Sequence, residues 1–184
     1  MFVIMFGMPG SGKDTQSNRL ANTFNIPHYS TGAILRKAAE TDTELATFLE
    51  GGGLVNDNQM NDIIGKLIRN DNDVGWGMVL NGYPRNIEQA KYLDTTFPFD
   101  AVMYLDIDEE TAIQRILDGN RGRTDDTETT IKERLSVYRE KTLPVLDYFQ
   151  REGITPVLKI DASADPDTVA KFIIQELWKI RNDI

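Results

Sequence analysis

Two hydrophobic periods alternate along this chain. Short apolar runs at Phe2–Phe6, Met78–Leu80, Ala101–Leu105 and Pro156–Ile160 read as buried strands. Between and after them lie amphipathic segments with apolar residues at helical spacing, Lys13–Phe24 behind the first strand and Val169–Ile180 near the end. Asp165-Pro166 is a start signal for that last helix, with aspartate as cap and proline at the first helical position. Strands alternating with helices predict an α/β fold, a parallel sheet of about five strands covered by helices on both faces. In such sheets ligands bind beyond the carboxyl ends of the strands.

Two stretches break the alternation. Ser30–Val55 is helical and polar, with Gly51-Gly52-Gly53 near its end, and Asp118–Asp126 is rich in glycine and arginine. Both are candidate moving parts on one core domain, which a chain of 184 residues with 40% hydrophobic composition is long enough to bury. No apolar run is long enough to cross a bilayer, and the opening MFVIMFG has no basic region before it and no small-residue cleavage site after it. The expectation is a soluble, cytoplasmic protein with no membrane partner.

Composition narrows the chemistry. There is no cysteine and one histidine, His28, so a zinc site of thiolates or clustered imidazoles is not available and any metal must be held by oxygen. His28 reads as a local hydrogen-bonding residue after Pro27, and Trp76 and Trp178 read as packing residues. A formal net charge of -9 argues against nucleic acid as a partner, since binding a phosphate backbone needs a broad basic face. A small anionic ligand would need a local positive field.

That field has an obvious source. After the first strand comes Gly7-Met8-Pro9-Gly10-Ser11-Gly12-Lys13-Asp14-Thr15, leading directly into a helix, the strand-loop-helix setting of a P-loop. Its glycines let backbone N–H groups curl inward around phosphate, the helix adds its positive N-terminal dipole, and Lys13 can reach the outer phosphates. Gly10, Ser11, Gly12, Lys13, Asp14 and Thr15 are therefore the candidate ATP-binding residues. Asp14 departs from the usual pattern, which has serine or threonine after the lysine. An acid there repels phosphates unless its side chain turns away and only its N–H faces the ligand.

Two later motifs add specificity: Tyr29-Ser30-Thr31-Gly32-Ala33-Ile34-Leu35-Arg36 and Asn81-Gly82-Tyr83-Pro84-Arg85-Asn86-Ile87-Glu88-Gln89. Arginines from separate segments, Arg36 and Arg85, are suited to gripping one phosphate through fork-shaped hydrogen bonds. With these motifs, in order and at similar spacing over almost the whole length, the chain resembles the adenylate kinase family. The resemblance implies a P-loop NTPase fold with a small helical monophosphate-binding insertion near residues 30–55 and a short lid near 118–127. It implies an AMP site of Thr31, Gly32, Arg36, Gly53, Leu54, Val55, Gly82, Tyr83, Pro84, Arg85 and Gln89, with Arg36 and Arg85 on the phosphate. Gln89 offers the donor and the acceptor that adenine's edge demands. The related UMP/CMP kinases typically have alanine at the place of Thr31 and asparagine at that of Gln89, so both positions here carry the adenine-specific form.

The run from Gly122-Arg123 through Asp125-Asp126 to Ile131-Lys132-Glu133-Arg134-Leu135 matches the lid and adjoining helix of short adenylate kinases. By that match Arg123 and Arg134 contact the transferred group and the AMP phosphate, while Arg115 or Arg121 lies near the donor nucleotide. Phosphoryl transfer is mostly positioning and cationic stabilisation of a loose transition state, which accounts for the arginines, and a closing lid excludes water. The implied reaction is reversible transfer from MgATP to AMP giving two ADP, with Lys13, Arg85, Arg123 and Arg134 catalytic and a monomeric enzyme. A catalytically weak nucleotide-binding sensor is the alternative from another class. Magnesium is expected on the nucleotide phosphates and water, and the short lid without cysteine leaves no place for zinc. The family's aspartate before Gly-[Phe/Tyr]-Pro-Arg helps anchor the metal's waters; this chain has Asn81, which can act only through a neutral hydrogen bond. Ala33 replaces a common acid, and Asp118 stands where short-lid relatives carry a further arginine.

Overall fold

The computed structural model of the protein describes residues 1–39, 56–70, 77–119 and 127–182, and the side chains of these apart from 36–39, 70 and 181–182. In chain order the elements are β1 (Phe2–Gly7), α1 (Lys13–Phe24), β2 (His28–Ser30), α2 (Thr31–Ala39), α3 (Asp57–Asn70), β3 (Met78–Asn81) and α4 (Ile87–Thr96). They continue with β4 (Ala101–Asp106), α5 (Glu109–Asp118), α6 (Glu128–Val137), a π-helical turn (Tyr138–Thr142), α7 (Leu143–Arg151), β5 (Val157–Asp161) and α8 (Pro166–Asn182).

The five strands form one sheet in the order β2-β3-β1-β4-β5, and every pairing is parallel. The period of two along a strand sends Ile4 and Phe6 to one face and Val3 and Met5 to the other. On the first face they meet Leu80, Val102, Leu93, Val145 and Phe149; on the second, Val79, Met103, Leu105, Leu20, Ile173 and Leu177. With each such side chain worth about 1.5–3 kcal/mol when fully buried, these two layers are what hold the helices to the sheet.

α8 begins as the sequence indicates, with Asp165 Oδ1 accepting from the N–H groups of Asp167 and Thr168 at 2.9 and 3.1 Å. β2 is a departure: its three residues are only half buried and carry no apolar run, and they become a strand by pairing with β3, Tyr29 beside Leu80. Of the two tryptophans read as packing residues, Trp178 on α8 is 50% exposed and Trp76 lies outside the described residues. One buried charge is fully partnered: Asp94 of α4 accepts from Thr155 N–H and Oγ1 and from Ile154 N–H at 2.8–3.0 Å, and from the Tyr148 hydroxyl at 3.2 Å. It pins α4 to the approach into β5. Among the described residues no helix is long and apolar enough to cross a membrane.

Topology places the site. The chain leaves β1 on one side to make β2 and β3, then crosses over to make β4 and β5 on the other. The crevice at such a reversal lies at the carboxyl ends of the central strands, here β1 and β3, which are neighbours with Met5 beside Asn81.

Candidate active site

The loop after β1 is shaped by two glycines. Gly10 has φ +89, and a Cβ there would stand 2.3 Å from the backbone oxygen of Ala112 on α5. No side chain fits, so the loop packs directly on α5. Gly12 is the cap of α1 in the left-handed region, with no side-chain cap hydrogen bond. The first N–H groups of α1 are thus left for a ligand rather than for a capping oxygen. Ser11 is 2% exposed and its Oγ has no hydrogen-bond partner among the described residues. Lys13 curls back over this turn, its Nζ donating to the Gly7 and Met8 carbonyls at 2.7 Å each.

Asp14 is turned sideways. Its Oδ1 accepts from Asn81 Nδ2 at 2.6 Å, so the departure from the usual P-loop and the departure from the family pattern at position 81, 67 positions apart, touch. Thr15 follows on the exposed side of the same turn. His28 is a local hydrogen-bonding residue, as its sequence context implies, with Nδ1 2.7 Å from Asn18 Oδ1. Burial holds its imidazole below the ordinary histidine value, with the charge of Asp14 pulling weakly the other way.

On the β3 side, Thr31 opens α2 and is 1% exposed. Its Oγ1 donates to the Gly82 carbonyl at 2.8 Å, and Gly82 at φ +82 has no room for a Cβ, which would stand 2.6 Å from that oxygen. Gly32 lies next in the first turn of α2. The turn continues through buried Tyr83 and Pro84, joined by a cis peptide bond, to exposed Arg85. Tyr83 donates its hydroxyl to Asn61 Oδ1, and burial pushes its phenol well above the ordinary tyrosine range. Arg85 Nε donates to the Gly82 carbonyl at 2.7 Å, and Thr142 Oγ1 donates to the Arg85 carbonyl at 3.0 Å.

Gln89 is held at both ends. It is 5% exposed; its Oε1 accepts from the Arg85 N–H at 2.8 Å and its Nε2 donates to Asp57 Oδ1 at 2.7 Å. The same Asp57 oxygen accepts from Asn86 Nδ2 at 2.7 Å, and Asn86 caps α4 by accepting from the Gln89 N–H at 2.9 Å. An ionised carboxylate can only accept and a backbone N–H can only donate, so the two ends of the Gln89 amide are fixed in place.

The remaining candidates divide. The guanidinium of Arg115 on α5 is occupied by backbone, donating to the carbonyls of Ala162, Ser163 and Ala164 at 2.7–3.0 Å, and so ties α5 to the loop after β5. Arg134 lies half buried in the last turn of α6, between Ile131 and Leu135. Those two side chains form a small core with Ile116, and Met8 of the phosphate loop packs against it. α6 is started by a capping box of Thr127 and Thr130. Gly53, Leu54, Val55, Arg121 and Arg123 lie outside the described residues, as does the side chain of Arg36. Asp57, Asn86 and Asn18 are contributors that sequence reasoning missed; Asp57 stands two residues past Val55, and that proximity was the one available signal.

Comparison with known proteins gives one consistent result. A family model described as adenylate kinase matches residues 5–154. The chain is 35% identical to an adenylate kinase of Natronomonas pharaonis, the match covering 91% of this chain and 92% of the relative. It is 37% identical to one from Encephalitozoon cuniculi, with 91% and 92% covered, and 37% identical to one from Agrobacterium fabrum, with 97% and 98% covered.

Proposed function

The chain belongs to the adenylate kinase family of phosphotransferases, and from that premise we propose that it transfers a phosphoryl group reversibly from MgATP to AMP, giving two ADP. The observation that carries this reading is adjacency. The phosphate loop and the Asn81–Arg85 turn leave neighbouring parallel strands at the same end and are bridged by the Asp14–Asn81 hydrogen bond. Donor and acceptor sites built there open into one crevice.

In this reading the amides from Gly10 to Thr15 and Lys13 take the ATP phosphates. Lys13 exchanges two carbonyl contacts for phosphate oxygens when nucleotide binds. Arg36 and Arg85 hold the AMP phosphate, Arg123 and Arg134 stabilise the moving group, and Arg121 serves the donor nucleotide. Arg115 shapes the donor side through the loop it holds. Direct in-line transfer needs no covalent intermediate, since positioned cations do most of the work. Thr31, Gly32 and the Gly53–Val55 backbone surround the acceptor base, together with Gly82, Tyr83 and Pro84. Gln89 reads its edge: with Asp57 and Arg85 fixing the amide, one N–H and one lone pair remain. They match adenine N1 and N6, and they oppose the reversed pattern of hypoxanthine, guanine or uracil.

Magnesium bound to the nucleotide phosphates neutralises charge and orients them. Two buried oxygens without partners among the described residues, Ser11 Oγ and Asn81 Oδ1, fit a site that takes hydrated metal and phosphate, with Thr15 and Asp14 alongside. The enzyme acts as a cytoplasmic monomer on small nucleotides alone in this proposal. The test is turnover with MgATP and AMP, dAMP, UMP, CMP, GMP or dTMP singly, followed as diphosphate by chromatography. Magnesium-dependent turnover with AMP and little with UMP or GMP is expected. Preference for UMP, or no turnover with any acceptor, would refute it.

A further inference from the structure

Asp14 and Asn81 form a one-sided pair. Asn81 is 3% exposed, and its Nδ2 donates to Asp14 Oδ1 at 2.6 Å. Its Oδ1 is buried without a hydrogen-bond partner among the described residues. Asp14 makes no ion pair among the described residues, and burial disfavours the charged form of the neighbouring His28 imidazole. What the pair offers its surroundings is mostly oxygen: one amide acceptor and the remaining lone pairs of a carboxylate, against the one further N–H of the Asn81 amide.

That excess of acceptors, one of them charged, suits a hydrated cation better than it suits phosphate. A carboxylate one residue past the phosphate-binding lysine opposes nucleotide binding by itself, because like charges repel. The waters around magnesium, in contrast, point donors outward and seek acceptors, and carboxylates are the usual ones. We infer that Asp14, held in place by Asn81, supplies the carboxylate that anchors the waters of the nucleotide's magnesium ion. The acid that the family pattern has at position 81 thus stands across one hydrogen bond on α1, and Asn81 becomes its positioning residue. This rests on the reading of the chain as a MgATP-dependent kinase.

The test is binding rather than turnover. ATP affinity is measured by titration calorimetry with EDTA and with excess magnesium, without AMP, and the ratio of the two dissociation constants is the readout. Asp14→Asn keeps the shape and the Asn81 contact but removes the charge. It is expected to cut the preference for MgATP at least roughly tenfold, the scale of one charge-assisted hydrogen bond, through weaker MgATP and tighter metal-free ATP. Asp14→Ser, whose melting curve is checked alongside, should do the same. The exchange D14N/N81D, which moves the charge back across the hydrogen bond, should restore the ratio to within about threefold. An unchanged ratio in D14N, or a loss that the exchange fails to restore, overturns the inference. A wild-type chain that turns over AMP yet shows no metal preference also overturns it, and leaves the kinase reading standing.

Discussion

The Gln89–Asp57 contact makes a quantitative demand on acceptor specificity. Replacing Asp57 with alanine removes the oxygen that accepts from both Gln89 Nε2 and Asn86 Nδ2, while the Arg85 N–H still holds Gln89 Oε1. The orientation of the amide then rests on one neutral hydrogen bond, worth about 1 kcal/mol, instead of that bond plus a charge-assisted one worth about 1.5–3 kcal/mol. If AMP must supply roughly 1.5 kcal/mol to orient the amide, its KM rises about tenfold. The phosphate grip is untouched, so kcat should change by less than about threefold, because the loss is in binding that ground and transition states share. IMP, whose edge is reversed, suffers no such loss, and the AMP-to-IMP ratio of kcat/KM should fall by about the same tenfold. Steady-state kinetics with both acceptors, paired with melting curves, reads all three quantities. A fall in kcat with unchanged KM, or an unchanged AMP-to-IMP ratio in a folded variant, would refute the reasoning.

Gly10→Ala forces a methyl against the Ala112 carbonyl at a backbone angle of +89°, so stability should drop by about 2 kcal/mol and ATP affinity with it, as thermal melts with and without ATP would report. Asp94→Asn turns an NH2 group toward donors that now share a carboxylate, and denaturant unfolding should register a loss of about 3 kcal/mol. His28, the chain's one histidine, should titrate by NMR below the ordinary 6.5 because burial disfavours its charged form. Its contribution to stability is complete above 6.5 and lost as pH falls below it, and Asp14→Asn should lower its midpoint further by removing the opposing charge. Tyr104 is pushed up to about 12, chiefly by burial, so its contribution is complete below 10 and lost as pH climbs from there through 12, where alkaline unfolding monitored by circular dichroism should be steepest.

Sequence made the sheet's interior legible because β1, β3 and β4 are buried on both faces, and a strand in that setting must be apolar throughout. β2 was invisible because His28–Ser30 is an edge strand made by its neighbour rather than by its own pattern. The phosphate loop was legible because its geometry permits so few residue types. Arg115 was not, since its partners are carbonyls, which every residue has. Asp14 and Asn81 each stood out as departures, yet nothing in a one-dimensional chain says that the two touch; only the side-by-side placement of β1 and β3 brings them together. The network through Asp57 was hidden for the same reason, as α3 and α4 come together only by packing.

The central claim is that this chain moves a phosphoryl group between adenine nucleotides, and pure ADP tests it most directly. Incubated with magnesium and ADP alone and followed by phosphorus NMR, the protein should generate ATP and AMP in equal amounts without releasing inorganic phosphate. Appearance of inorganic phosphate with AMP in excess of ATP, or an unchanged ADP spectrum from folded protein, would contradict it.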